Sequence, residues 1–287
     1  MMTIPPPDGS RDRRIEDLSN LYVIHPVARF LLPLAVRRGV SANLVSVLGF
    51  GFGLLAMAAF VGLPGWRGAM LGLAFAACWL VADGLDGMIA RATGTASRTG
   101  RILDGVCDHG VFIMIYVGLA LSIGTVAGWA LAISAGMAHT VQSALYEGER
   151  SRFHRRLTLR PAPPRAGHVP LYDAVATAAD RWGGRLDALL AGPAGAGIAI
   201  DYARCAVPSM RAMALLSANV RVAAIALAVL VRTPALFWWI ELVPLALVTL
   251  ATMAWQRHVE RQVVDRFGIR ADTPAVPEMG VGLRRGA

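Results

Sequence analysis

Apolar residues fall in long runs along this chain, separated by short polar turns and one arginine-rich stretch. Six runs, near 43–63, 66–90, 101–123, 127–146, 213–231 and 236–255, each approach the ~20 residues needed to cross the hydrocarbon core of a bilayer. The first carries no charge, and Gly49, Gly51 and Gly53 would give it a close-packing face. Ahead of it, residues 18–42 mix Ile24, Val27, Phe30, Leu31 and Leu34 with Arg29, Arg37 and Arg38. That mixture predicts an amphipathic helix lying in the membrane interface, with Pro26 and Pro33 as candidate break points. Ser41 and Asn43 are candidate N-caps for the first span. The pattern therefore predicts an all-α fold: a polytopic membrane helix bundle with six transmembrane helices and an N-terminal interfacial amphipathic helix.

The expected organisation is a flexible N-terminal segment (1–17), the interfacial helix (18–42), a six-span domain (43–257) and a cytoplasmic tail (258–287). Within the domain, 151–209 reads as a cytoplasmic loop. Its first part, 151–169, is a basic, Pro-rich connector. Leu171, Val175, Trp182, Leu186 and Leu190 predict a second interfacial helix over 170–190. The stretch after Ala271 is expected to be disordered.

Composition agrees with the spans: 55% of residues are hydrophobic, 16% are charged, and the mean hydropathy is +0.52. The net charge of +9 comes entirely from arginine among the non-histidine bases. Arginines crowd the N-terminal segment, the 91–101 turn, the 150–211 stretch and the region after Trp255, and are sparse in the alternate turns. By the positive-inside rule both termini face the cytoplasm, so the charge reflects orientation and anionic substrates rather than nucleic acid. Three cysteines, Cys78, Cys107 and Cys205, form no disulfide framework, and no signal-peptide pattern is apparent.

The chemistry concentrates in 83–108, DGLDGMIARATGTASRTGRILDGVCD. On helices, Asp83 and Asp86 (i, i+3) share a face, as do Asp104 and Asp108 (i, i+4). Two helices then offer two carboxylates each to a common point. Four carboxylates do not all stay ionised in a low-dielectric site without cations, so the expectation is a divalent-metal site at the membrane edge.

This stretch resembles the defining motif of the CDP-alcohol phosphotransferase family of integral membrane enzymes, with every specified position present: Asp83, Asp86, Gly87, Ala90, Arg91, Gly100, Asp104 and Asp108. The resemblance extends more loosely over the preceding segment, where Ala42-Asn43 replaces the usual Pro-Asn, and weakens after residue 151. It implies phosphatidyl transfer from CDP-diacylglycerol to an acceptor alcohol, with release of CMP. It also implies two Mg2+ (or Mn2+) ions held by Asp83, Asp86, Asp104 and Asp108, with Asp108 as the base. Asn43, Gly87, Ala90, Arg91, Ser97 and Gly100 would contact the CDP moiety. A homodimer in a bacterial cytoplasmic membrane is the expected setting, with both termini and the active site cytoplasmic.

Two features lie outside the motif. His139, Gln142, Ser143, Tyr146 and Glu147 fall on one face of the fourth span, and polar stripes in membrane helices face the bundle interior or a wet cavity. Arg221 sits near the middle of the fifth span, where a charge is costly and points to function or to a structural ion pair. Arg221, His139, Gln142 and Arg150 are therefore candidate acceptor-binding residues. Arg221 tilts the acceptor towards a phosphorylated polyol such as inositol phosphate or glycerol phosphate. Two other readings stand beside this one. In the first, the same fold moves a CDP-linked small headgroup onto diacylglycerol. In the second, the chain is a non-enzymatic divalent-cation membrane protein, against which Gly87, Ala90, Arg91 and Gly100 argue because transport does not need them.

Overall fold

The computed structural model describes residues 12–160 and 183–271, and they are helical almost throughout. A single π-helical turn (Asn20–Ile24) leads into α1 (His25–Arg37). Then follow α2 (Ala42–Gly62), α3 (Trp66–Ala92), α4 (Arg98–Ile123) and α5 (Val126–Leu157). A short helix, α6 (183–190), precedes α7 (Gly195–Met213), α8 (Ala218–Leu230), α9 (Ala235–Ile240) and α10 (Ala246–Ala271). A 3-10 turn (Ala214–Leu216) joins α7 to α8, and a π-helical turn (Glu241–Leu245) joins α9 to α10.

Local sequence sets the helix starts. Ser41, Ser97, Thr125 and Ser217 each accept a hydrogen bond from the amide three residues on, at 3.0–3.4 Å, and so cap α2, α4, α5 and α8. Asn43, also a candidate cap, lies inside α2. Helix α1 is not broken at its prolines: Pro26 stands in the first turn, where its missing N–H is harmless, and the helix runs on through Pro33.

Among the described residues, five stretches are long and apolar enough to cross a membrane: Ala42–Gly62, Trp66–Ala92, Ile102–Ile123, Gly195–Leu230 and Ala235–Gly268. The protein is a polytopic helical membrane protein. The expected fourth span lies within α5, whose Ser134, His139, Thr140, Gln142 and Ser143 dilute its apolar character. The larger difference is in the expected 151–209 loop. Helix α5 continues to Leu157, and α7 begins at Gly195. Ile198, Tyr202, Ala206, Met210 and Met213 line the buried face of α7, while Asp201, Arg204 and Arg211 interrupt its opposite side and hid the period in the linear sequence. Likewise α10 runs past the expected start of the tail, with Val259 and Val263 buried. Of the predicted second interfacial helix only 183–190 is described; Leu171, Val175 and Trp182, residues 1–11 and the stretch after Ala271 lie outside the described residues.

Helix α2 packs against both α3 and α4. An added Cβ at Gly49 would meet Ala82 Cβ at 3.1 Å, and one at Gly53 would lie 2.2 Å from Val111. Gly51, two residues away and thus on another face, has nothing within 4 Å of such an atom. Helix α1 packs on α3 through Ala28 and Ala35, leaving Val27, Phe30 and Leu34 exposed as an apolar stripe. A second core joins α5, α7 and α10 around Phe153, Tyr202, Met210 and Val263. Residues 12–17, expected to be flexible, reach this core: Ile15, Glu16 and Asp17 are buried.

Candidate active site between α3 and α4

Gly94, at φ +67°, closes α3 in the left-handed conformation, and the Thr95 amide turns back to the Ala90 carbonyl at 3.0 Å. Three residues later Ser97 caps α4. This short connection runs the two helices in opposite directions. Asp83 lies nine residues before the end of α3 and Asp108 ten residues into α4, so both stand ~14–15 Å from the hairpin end at 1.5 Å per residue. The matching offsets bring the carboxylates to one level.

Asp83, Asp104 and Asp108 each place an oxygen within 4.8 Å of the others. Hard divalent cations take oxygen ligands at about 2.0–2.6 Å, so three carboxylates at this spacing fit one. Asp86 is buried and turns towards α2, where the Ser46 hydroxyl donates to its Oδ2. It is close enough to Asp83 and Asp104 to feel both charges. Trp79, one turn before Asp83, donates its indole N–H to Asp108 Oδ1 at 3.1 Å, and Phe112 packs edge-on against its ring at 5.3 Å. The Arg91 guanidinium lies back over Gly87, where an added Cβ would meet Nη1 at 3.2 Å. Beside Gly100 the same construction meets Ser97 Oγ at 3.1 Å and Asn43 Oδ1 at 3.3 Å. The N-termini of α2 and α4 thus converge, and Gly100 keeps the space between them narrow.

The family model for CDP-alcohol phosphatidyltransferase matches residues 40–152, from just before α2 to the last two turns of α5. Over that segment, well under half of the chain, the protein is similar to CDP-alcohol phosphatidyltransferases. The acidic cluster lies inside the matched segment. No curated protein matches the chain.

Of the candidate acceptor residues, Arg221, Gln142 and His139 gather around Glu241, and Arg150 stands apart. A cavity of about 560 Å³ opens beside Asp108, between α4, α5 and the start of α8, and His139, Ser143, Tyr146, Glu147 and Arg221 help to line it. Arg221 is 1% exposed and paired with Glu241, its Nε lying 3.1 Å from Oε1. Its other nitrogens reach Gln142 Oε1 at 3.0 Å and the Leu216 carbonyl. Gln142 in turn donates to the Glu241 carbonyl at 3.0 Å. Tyr116 and His139 complete the group at 3.3 Å. Arg150 stands outside the cavity, held by Glu147 at 2.9 Å and Glu16 at 3.3 Å and lying over the Tyr146 ring. The neighbouring Arg156 is buried between Asp187 at 2.7 Å and Glu260 at 2.6 Å.

Sequence reasoning passed over Trp79, Ser46 and Glu241. Trp79 had a readable signal, since it falls four residues before Asp83 on the same helix face. Glu241 had one as well: it is an acid within an expected span that also carries Pro244.

Proposed function

We propose that the protein transfers a phosphatidyl group from CDP-diacylglycerol to the hydroxyl of an acceptor alcohol and releases CMP. The observation that carries this reading is the convergence of Asp83, Asp104 and Asp108 inside the family-matched segment. Two magnesium or manganese ions, held by these three with Asp86, would supply charge neutralisation at the pyrophosphate.

The chain's own residues do the rest. The acceptor oxygen forms its bond to the phosphorus bearing the diacylglycerol, and the bond from that phosphorus to the bridging oxygen breaks. CMP leaves with that oxygen and its electron pair, and the hydroxyl proton passes to Asp108. The indole N–H of Trp79 occupies one lobe of the Asp108 carboxylate and fixes its direction. Arg91 offers a planar fork to a donor phosphate, and Gly87 and Ala90 keep that helix face low so the nucleotide can approach. Asn43, Ser97 and Gly100 form the narrow edge opposite. We further propose a cytoplasmic orientation for the hairpin in a bacterial inner membrane, and a homodimer.

The test is CMP release by the protein reconstituted with CDP-diacylglycerol and magnesium, against a panel of acceptors. Release that depends on acceptor and metal, and is lost in Asp104→Asn, is the expected result. Binding of metal without nucleotide binding, accompanied by ion flux, would replace the enzyme mechanism with a transport one. Exclusive use of a CDP-linked small headgroup with diacylglycerol would reverse the donor assignment; the apolar cavity beside Asp108 is the observation that favours this second reading.

A further inference from the structure

We propose that the cavity beside Asp108 is the acceptor pocket and that it selects an uncharged lipid alcohol, hydroxyl at Asp108 and hydrocarbon body along α4 and α5. The proposal rests on the reading of Asp108 as the group that takes the acceptor's proton. It departs from the phosphorylated polyol that Arg221 suggests in the sequence.

Charge is the first argument. Arg221 is the only arginine lining the cavity among the described residues, and Glu241 already faces it with both oxygens within 3.2 Å. The other formal charges on the wall are the carboxylates Asp108 and Glu147, the latter paired outward with Arg150. Away from the proposed metal cluster, an acceptor phosphate would therefore meet the Glu147 carboxylate and a cation whose charge is already matched. In a low-dielectric site an unmatched anion is strongly disfavoured.

Shape is the second. On α4 the wall runs from Asp108 to Val117, ~13 Å at 1.5 Å per residue, which is a large part of one bilayer leaflet. Phe112, Tyr116, Val117, Trp129 and Ala132 make it mostly aromatic or aliphatic. Ile113, Ile133 and Met137 on its rim are 59–64% exposed, so in a bilayer the slot opens sideways to the hydrocarbon. A water-soluble polyol needs neither that depth nor that lateral entrance; a lipid alcohol uses both.

Gly136 gives a clean handle. A Cβ there would touch the Tyr116 ring at an ordinary 3.7 Å, so a larger side chain can fill the slot without disturbing α5. Leucine also suits the helix better than glycine.

The experiment uses the full chain in lipid nanodiscs with magnesium and a long-chain alcohol bearing a diazirine, with labelled positions mapped by mass spectrometry. Labelling of the Phe112–Tyr116 segment is expected, with about tenfold loss in Gly136→Leu and no competition from glycerol 3-phosphate or inositol phosphate. Labelling indifferent to Gly136→Leu would mark general lipid contact and overturn the proposal. So would displacement by either phosphate, or labelling of the same segment by a diazirine on the acyl chain of CDP-diacylglycerol, which would make the slot a donor site. Labelling is read without turnover. Absence of CMP release from CDP-diacylglycerol alongside the expected labelling would therefore sink the donor assignment and uphold the pocket.

Discussion

Trp79 and Asp108 are joined across two helices by a single hydrogen bond, indole N–H to carboxylate at 3.1 Å. The indole sits on α3 one turn from Asp83, so one helix supplies both a cluster carboxylate and the group that orients the proposed base on the next. Hydrogen bonds to charged groups contribute about 1.5–3 kcal/mol, roughly a factor of ten to a hundred in rate when the bond orients a reacting group. Trp79→Phe keeps a ring against Phe112 and loses only the donor. We expect kcat for CMP release to fall about tenfold or more with KM for the donor little changed. An unaltered kcat would show that Asp108 is oriented by other contacts.

Arg221 and Glu241 are both fully buried and face each other. Removing one partner strands a charge, at a cost of about 3–5 kcal/mol, whereas replacing both with apolar groups of similar volume is often near neutral. The singles Arg221→Leu and Glu241→Leu should each lower the unfolding midpoint in detergent markedly, and the double should recover most of it. Additive losses in the double would mean that the two side chains contribute separately.

Asp17 ties the N-terminal segment to the start of α8. It accepts from Ser217 Oγ at 2.9 Å and Asn219 Nδ2 at 3.1 Å, beyond local bonds from Ser19 and the Asn20 amide. Burial on its own would raise the pKa of this carboxyl. The hydrogen bonds from Ser19, Asn219, Ser217 and the Asn20 amide outweigh burial and hold it below the usual carboxylate value. A depressed folded-state pKa gives stability that is fully present above the unfolded value near 3.9 and is lost as pH falls through the folded one. Thermal unfolding of wild type and Asp17→Asn should therefore differ at neutral pH and converge under strong acid. A constant gap at all pH values would remove charge from the explanation.

Gly53 and Gly51 give opposite expectations on one helix. Gly53→Ala drives a methyl into Val111 and should destabilise by about 1–3 kcal/mol. Gly51→Ala meets nothing and should be neutral or stabilising by up to about 1 kcal/mol through helix propensity. Paired thermal unfolding of the two variants checks this, and equal effects would count against close α2–α4 packing.

The linear sequence determined the helical class, the extents of α2, α3 and α4, and the pairing of Asp83 with Asp104 and Asp108. The reason is that span length, caps and i, i+3 or i+4 spacing are local properties of a helix, and a short turn fixes which levels of two helices meet. Family resemblance was legible for the same reason, since its positions all lie within one hairpin and the helix before it. What the chain could not show is which distant groups meet. Glu241 lies twenty residues from Arg221 and ninety-nine from Gln142, yet all three share one buried cluster. Ser46 finds Asp86 forty residues on. The buried face of α7 was masked by charges on its opposite side, and its helical character became plain only against α5 and α10. Packing of non-adjacent helices decided these contacts, and with them whether Arg221 is a free phosphate receptor or a matched ion. It is matched, and that pairing is what supports reading the cavity beside Asp108 as a slot for a neutral chain.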